Sequence, residues 1–437
     1  MNIKNKLSDK LYNLLESNKF KQVLTVACVT LVCAVIFFSG YFISYFTLNK
    51  NIRSVSFFFE VYNDYYYKES DANVVDLLVD SLLDDYSKYF TPDEYEEYTK
   101  SEEGNKKGLG IALSGTIIKK VIGNSPAEEA GVEIGGEIVA FKNSNERDFI
   151  ECESKKHLDD FFASCSDEVT IRVRYGSEYR EYELVKAEYT AAYAYYSDST
   201  GSYRYQGNGK SMALTKYSEN TLPLKEGWGY LKYIAFDSLA DGTMGGAGQF
   251  IGALQTFKQN GNSKIIIDLR GNGGGYVSIL CEIASHLCNV QTNKPFVCQK
   301  TKDNTGKISE SYSPKSNYDD YQFEKIVFLV DSTTASASEA LVGAVLDYDK
   351  FSNSNIVRVI VEPSNENNST SYRSYGKGIM QSLYENPLTG EAIKVTTAEV
   401  YWPLSNICIH KTGITPTLDE RIIANTFGDA IGFAQTV

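Results

Sequence analysis

The sequence predicts an α/β protein of several domains behind an apolar N-terminal helix. Three observations carry that prediction. From Trp228 onward, apolar strand patterns (WGYLKYIAF, KIIIDL, KIVFLV) alternate with helical ones (GQFIGALQTFKQ, VSILCEIASHLC, SEALVGAVLDY). Such alternation builds a largely parallel sheet covered by helices. Upstream, residues 104–186 read as short strands broken by glycine, the texture of a small β-rich domain. Counting that domain makes the whole multi-domain α+β. Finally, 23–48 contains no charged residue.

The elements follow in order. Residues 1–22 carry Lys4, Lys6, Lys10, Lys19 and Lys21 against Asp9 and Glu16. The uncharged run behind them would span roughly 39 Å as a helix rising about 1.5 Å per residue. It reads as a single transmembrane anchor. The lysines place the N-terminus in the cytoplasm and the rest outside. A cleaved signal peptide competes, but the run is longer than an ordinary h-region and no small-x-small site follows it. Residues 49–103 are helical, with Val74, Leu77, Leu78, Leu82 and Leu83 at helical spacing. There Thr91, Pro92 and Glu94 form a helix-start signature. The β-rich domain occupies 104–186. A Tyr-, Ser- and Gly-rich connector over 187–225 opens the α/β region of 187–437.

Composition excludes some function classes. The 437 residues carry a formal net charge of −13, and after residue 60 no basic block offers the footprint that a phosphate backbone needs. Nucleic acid is set aside. Cysteines 152, 165, 281, 288, 298 and 408 show no CxxC pairing and no histidine pattern suited to zinc, so no metal site is expected and buried free thiols are the plain reading.

Two segments carry chemistry. In IIIDLRGNGGG, Ile265 to Gly275, an apolar strand runs into four glycines before a helix. Backbone N–H groups in such a loop are free to meet an anion or a developing oxyanion, although a tight turn needing positive φ explains the glycines equally well. In VDSTTASASEALVGAVLDY, a polar turn again joins a strand to a helix. Ser336 begins S-x-x-E, the form of a capping box. A serine held at a helix N-terminus is also a nucleophile whose alkoxide the dipole favours, with the next N–H ready for a tetrahedral intermediate.

A serine nucleophile needs a base, and the chain has three histidines. His157 lies in a charged helical run, His286 on a largely apolar helix, and His410 alternates outward on a strand near the C-terminus. None has a compelling partner, which leaves a Ser-His-Asp triad weakly supported. The other base is Lys377, flanked by Gly376 and Gly378 so that the backbone passes close to another element. Lysine acts as a base near neutral pH only when burial disfavours its ammonium. Taken alone, a lysine in a glycine turn is ordinarily a surface residue.

Taken together and in order, these motifs resemble the carboxy-terminal processing proteases, or tail-specific proteases. LLDDYSKYFTPDEYEEY looks like that family's helical segment before its PDZ domain, KGLGIAL with VIGNSPAEEAGVEIGGEIVAFKN like the PDZ domain, and IIIDLRGNGGG, TTASASEALVGAVLDY and YGKGIMQ like its catalytic motifs. The resemblance implies a PDZ domain over 104–186 and a crotonase/ClpP-like α/β protease core over 187–437. Ser336 would be the nucleophile and Lys377 the general base, with Gln381 holding the lysine from the same face of a helix. Ala337, Gly273 and Gly274 would form the oxyanion hole. Gly108, Leu109, Gly110 and Ile111 would receive a substrate's terminal carboxylate. The activity implied is a membrane-anchored serine endopeptidase with no metal and no cofactor, acting on proteins or peptides with free C-terminal tails. A homo-oligomer is compatible with this. The Ser336-to-Lys377 spacing exceeds the family's, the surplus lying in the polar tracts DKFSNSNIV and SNENNSTSYRS. Two other readings are a catalytically inactive relative using its PDZ domain to bind peptides, and an acyl-CoA enzyme of the crotonase type.

Overall fold

A computed structural model describes residues 18–47, 54–55, 57–58, 74–102, 105–208, 211–218, 222–237, 245–288, 294–303, 305–313, 322–366 and 369–437. These fall into two units, Met1–Asn73 and Val74–Val437.

In the first unit, helix α1 (Asn18–Thr47) runs for 30 residues, and Val23, Val26, Leu31 and Ile36 are exposed along it. Lys21 is part of it, and the hydroxyls of Thr25, Thr30 and Ser39 bond to carbonyls four residues back. Among the described residues no helix is long and apolar enough to cross a membrane. The anchor expected over 23–48 therefore has no support from them.

The second unit begins with α2 (Val74–Leu82), β1 (Lys88–Phe90) and α3 (Pro92–Glu102). The start signature at Thr91 is realised: the Glu94 carboxylate accepts from the Thr91 N–H at 2.9 Å and from its hydroxyl at 2.9 Å.

An antiparallel sheet follows, built from β2 (Ile111–Ser114), β3 (Ile117–Val121), β4 (Glu137–Asn143), β5 (Glu168–Tyr175) and β6 (Glu178–Val185) in the order β2-β3-β4-β5-β6. Helix α4 (Lys155–Ser164) buries Leu158 and Phe161 on a core of Ile118, Phe141, Val169 and Ile171. This is a hydrophobic core of its own, and β2 lies at one edge of the sheet.

The strands of the other two larger sheets are β7 (Ala194–Asp198), β8 (Gly201–Asn208), β9 (Ser211–Ser218), β10 (Trp228–Tyr233), β11 (Lys264–Asp268), β12 (Cys298–Lys302), β13 (Ile308–Tyr312), β14 (Lys325–Val330), β15 (Val357–Val361), β16 (Ile379–Glu385), β17 (Ala392–Tyr401) and β18 (Ile422–Ala424). Eight of them form the main sheet, β9-β8-β7-β10-β11-β14-β15-β18, in which every pair from β10 to β18 is parallel. The tract expected to be a connector thus supplies three antiparallel strands. Its Tyr193, Tyr196 and Tyr205 are core residues, in one cluster with Phe257 and Leu254.

Helices α5 (Gly246–Gln259), α6 (Val277–Leu287) and α7 (Ala337–Phe351) cover one face. Ile265 and Ile267 of β11 point toward them, whereas Ile266 points to a second cluster closed by Trp228, Ala430 and Ala434. Burial on both faces explains why these strands read as continuous apolar runs. The six cysteines outside α1 are free thiols.

A third sheet, β1-β17-β12-β13 with β16 beside β17, stands apart. The tract SNENNSTSYRS is built around a hairpin pairing Pro363–Glu366 with Ser369–Tyr372. Its polarity suits an exposed excursion, so the surplus length is absorbed outside the main sheet.

Candidate active site

β11 and β14 are parallel neighbours, with Asp268 opposite Leu329. Their C-terminal ends therefore lie side by side, the usual place for a site in an α/β sheet. The glycine loop leaves one end and the serine turn leaves the other. Asn272, fully buried, ties them together. Its carbonyl accepts from the Ala335 N–H at 3.0 Å and from the Ser338 hydroxyl at 3.0 Å. Its side chain donates to the Tyr233 carbonyl at 3.0 Å and accepts from the Gly274 N–H at 2.9 Å.

Gly274 has φ +99, and a Cβ there would sit 2.8 Å from Ala335 O, Ala337 N and the Ser336 Cβ. Only glycine lets the loop lie this close to the serine. Of the expected oxyanion donors, Gly274 is already engaged by Asn272. Among the described residues no hydrogen bond uses the N–H of Gly273 or Ala337.

Ser336 precedes α7 with φ 58 and ψ −117. An ordinary N-cap is extended, so this backbone is a strained turn of the kind that clusters at functional sites. The neighbouring hydroxyls have structural partners. Thr334 donates to the Leu269 carbonyl at 2.9 Å, Thr333 to Asp331 at 2.7 Å, and Ser338 to Asn272.

The capping glutamate does more than cap. Glu339 is fully buried, and its carboxylate accepts from the N–H groups of Ser336 at 2.9 Å, Gly376 at 2.8 Å and Lys377 at 2.9 Å, and from the Ser374 hydroxyl. One carboxylate thus fixes the backbone of both Ser336 and Lys377. Burial pushes its carboxyl above the ordinary range, while these donors pull it back.

The lysine turn is pinned from its other side too. A Cβ on Gly376 would meet Gly413 N at 2.9 Å, and one on Gly378 would meet His410 N at 2.7 Å. The Lys411 N–H reaches the Gly376 carbonyl at 2.7 Å. The flanking glycines therefore admit residues 409–413, which form an irregular turn where a strand was expected at His410.

Ser336, Ala337, Gly273, Gly274, Lys377 and Gln381 all line one cleft of about 410 Å³. The Lys377 amine stands over the Tyr86 ring, 5.0 Å from its centroid. Burial, then the nearby Lys394, push the amine below its ordinary range, with Asp84 and Glu339 opposing. Tyr86 is itself pushed up to about 12, first by burial and then by its hydrogen bond with the Tyr375 hydroxyl at 3.2 Å. Among the described residues no hydrogen bond joins Lys377 Nζ to Ser336 or Gln381. Gln381 lies on strand β16, not a helix. A strand turns successive side chains to opposite faces, and its amide donates across to Thr396 at 3.0 Å.

Gly108, Leu109, Gly110 and Ile111 lie elsewhere, at the start of the edge strand β2. The Leu109 and Gly110 carbonyls accept from Ala127 at 2.9 Å and Ile122 at 2.9 Å. Among the described residues no hydrogen bond uses their N–H groups. Gly110 has φ +82, and a Cβ there would overlap the Ser125 side chain.

His157 sits edge-on to Phe141, 5.1 Å between ring centroids, and His286 lies on α6; neither lines the cleft. Sequence reasoning missed Asn272 as a clamp and Lys394 as a cleft residue, and gave Glu339 only a cap. The signals were faint: an asparagine among glycines reads as a turn, and Lys394 stands on an ordinary strand.

A strained serine at a helix N-terminus, with free N–H groups and a half-buried amine in one cleft, is the layout of a serine-type peptidase. Residues 227–419 match the model of peptidase family S41. A probable CtpA-like serine protease of Staphylococcus aureus (strain COL) is 23% identical over 398 residues, covering 87% of this chain and 68% of that protein. A probable CtpA-like serine protease of Staphylococcus haemolyticus (strain JCSC1435) is 23% identical over 385 residues, covering 84% and 64%. Among solved structures, a photosystem II D1 C-terminal processing protease aligns with TM-score 0.48 at 19% identity, over 86% of this chain and 89% of that one.

Proposed function

We propose that the protein is an endopeptidase of the C-terminal processing type, working through a Ser336–Lys377 dyad. The observation that carries this is the shared cleft, in which Ser336, strained at the start of α7, faces the unengaged N–H groups of Gly273 and Ala337 with Lys377 on the same lining.

In the reaction, the neutral Lys377 amine takes the Ser336 hydroxyl proton as the oxygen attacks the scissile carbonyl. The tetrahedral oxyanion receives the Gly273 and Ala337 N–H groups. Lys377, now an ammonium, returns the proton to the departing amine, leaving an acyl-serine that water hydrolyses with Lys377 again as base. Because the base must be neutral, an environment that disfavours the ammonium supports the assignment.

The sheet over 111–185 serves as a PDZ domain. A substrate tail adds as a strand along β2 and its carboxylate meets the free Leu109 and Gly110 N–H groups. The substrates are proteins or peptides with free C-terminal tails. The uncharged run 23–48 holds the protein at the cell membrane, N-terminus inside and catalytic unit outside; this rests on the sequence alone.

The test is cleavage of an unfolded protein substrate with an apolar C-terminal tail. Ser336→Ala and Lys377→Ala abolish turnover while Ser338→Ala retains it. Loss in Ser338→Ala with full activity in Ser336→Ala would sink the assignment.

A further inference from the structure

A second lysine lines the catalytic cleft. Lys394 of β17 sits opposite Leu383 of β16 on one side and Lys88 of β1 on the other. Cross-strand partners share a face, so Lys88 and Lys394 are like charges placed directly across from each other. Lys394 is half-buried, its Nζ held 5.4 Å from the centroid of the Tyr98 ring. Tyr98, Lys394, Lys377 and Ser336 all line the same cavity. Among the described residues neither Lys377 nor Lys394 forms an ion pair. For a protein of net charge −13 this is an unusual choice at its reaction centre.

The groups facing Lys377 come from every element around it. Asp84 and Tyr86 approach from the turn before β1, Glu339 from α7, Tyr375 from the lysine loop itself, and Lys394 from β17; Asp237 lies across the cavity. The Glu339 charge is already spent on four hydrogen-bond donors, and Tyr86 presents a neutral ring. Asp84 and Glu339 are the nearby charges favouring an ammonium, and Lys394 is the one opposing it. A cation beside a catalytic lysine is a recognised way to activate it, because a second positive charge disfavours the first.

We propose that Lys394 is a positioning residue for the reaction: its ammonium, braced on Tyr98, keeps Lys377 in the neutral form that accepts the Ser336 proton. This rests on the Ser336–Lys377 reading above. The direction in which Lys377 is perturbed agrees, Lys394 being the largest cause after burial.

The test compares kcat/KM as a function of pH, from about pH 5 to 10, for the full chain and for Lys394→Gln and Lys394→Arg, on one unfolded protein substrate with an apolar tail. Activity rises with pH as Lys377 loses its proton. Removing the neighbouring charge favours the ammonium, so in Lys394→Gln this acid limb moves to higher pH by about one unit, a loss of about tenfold at pH values below it. Lys394→Arg keeps the charge and keeps the limb in place. An unmoved limb in Lys394→Gln overturns the proposal, and a rise in KM alone would make Lys394 a substrate contact. An equal shift in Lys394→Arg also overturns it, since side-chain shape would then be the cause. Ser336→Ala and Lys377→Ala are measured alongside: activity retained there refutes the dyad itself, whereas inactive dyad variants with an unmoved limb refute only the role of Lys394.

Discussion

Replacing Glu339 by Gln tests whether one carboxylate assembles the site. One oxygen of Glu339 accepts from Ser336 N and Lys377 N, the other from Gly376 N and the Ser374 hydroxyl. An amide has one acceptor end. If its NH₂ faces Ser374 and Gly376, the hydroxyl is able to turn and accept, but the Gly376 N–H is stranded. If it faces the other way, the Ser336 and Lys377 N–H groups are both stranded. Each buried donor left without a partner costs about 1–3 kcal/mol, and the surviving bonds lose their charge assistance. The loss is therefore about 2–4 kcal/mol, offset only in part by relief from burying a charge. Tm in a thermal melt falls by about 4–8 °C. Because the stranded groups are the backbone of the proposed nucleophile and base, kcat/KM falls about 100-fold or more, as a displacement near 1 Å at a reaction centre would give. A Glu339→Gln protein with unchanged Tm and kcat/KM within about threefold of the parent would refute this reasoning.

Three further outcomes follow from the same geometry. Gly274→Ala drives a Cβ to 2.8 Å from Ser336 Cβ and Ala337 N at a φ of +99, so peptidase activity falls more than about 100-fold while the far-UV circular dichroism spectrum is kept. Asp268 is held below the usual carboxylate range: burial alone would raise it, but Arg270, Lys232 and Tyr230 outweigh burial. Its contribution is complete above the ordinary carboxylate pKa and is lost as pH falls through the lowered folded value; Asp268→Asn costs about 3–5 kcal/mol at neutral pH and flattens the acid side of the stability curve in denaturant titrations. Gly110→Ala, which overlaps Ser125 at φ +82, weakens binding of a C-terminal tail peptide by calorimetry but leaves hydrolysis of a short peptide lacking that tail intact.

What could be read from the sequence divides along physical lines. The strands β10, β11 and β14 and the helices after them were legible because burial on both faces leaves uninterrupted apolar runs and the helices keep their 3.6-residue period. The 187–225 tract was misread. Its strands are rich in tyrosine and serine, and only the tertiary structure shows that Tyr196 and Tyr205 are core residues. Gln381 was expected on the lysine's face if its segment were helical; the segment is strand β16, with a register shift between Met380 and Gln381, and the amide pairs with Thr396 instead. At the site, Ser336 was visible as a hydroxyl at a strand-to-helix turn, and the glycines around Lys377 correctly signalled a close backbone. The element that approaches, 409–413, was not readable, since nothing local links it to Gly376 or Gly378. Glu339 shows the same limit: the capping pattern is local, but its bonds to Gly376 and Lys377 join distant parts of the chain.

The central claim is that Ser336 is the nucleophile. A fluorophosphonate, which phosphonylates an activated serine, tests it directly when the labelled protein is digested and the adduct located by mass spectrometry. The account predicts one adduct, on Ser336, absent from both Ser336→Ala and Lys377→Ala. An adduct on Ser338, or labelling of Ser336 undiminished in Lys377→Ala, would contradict it.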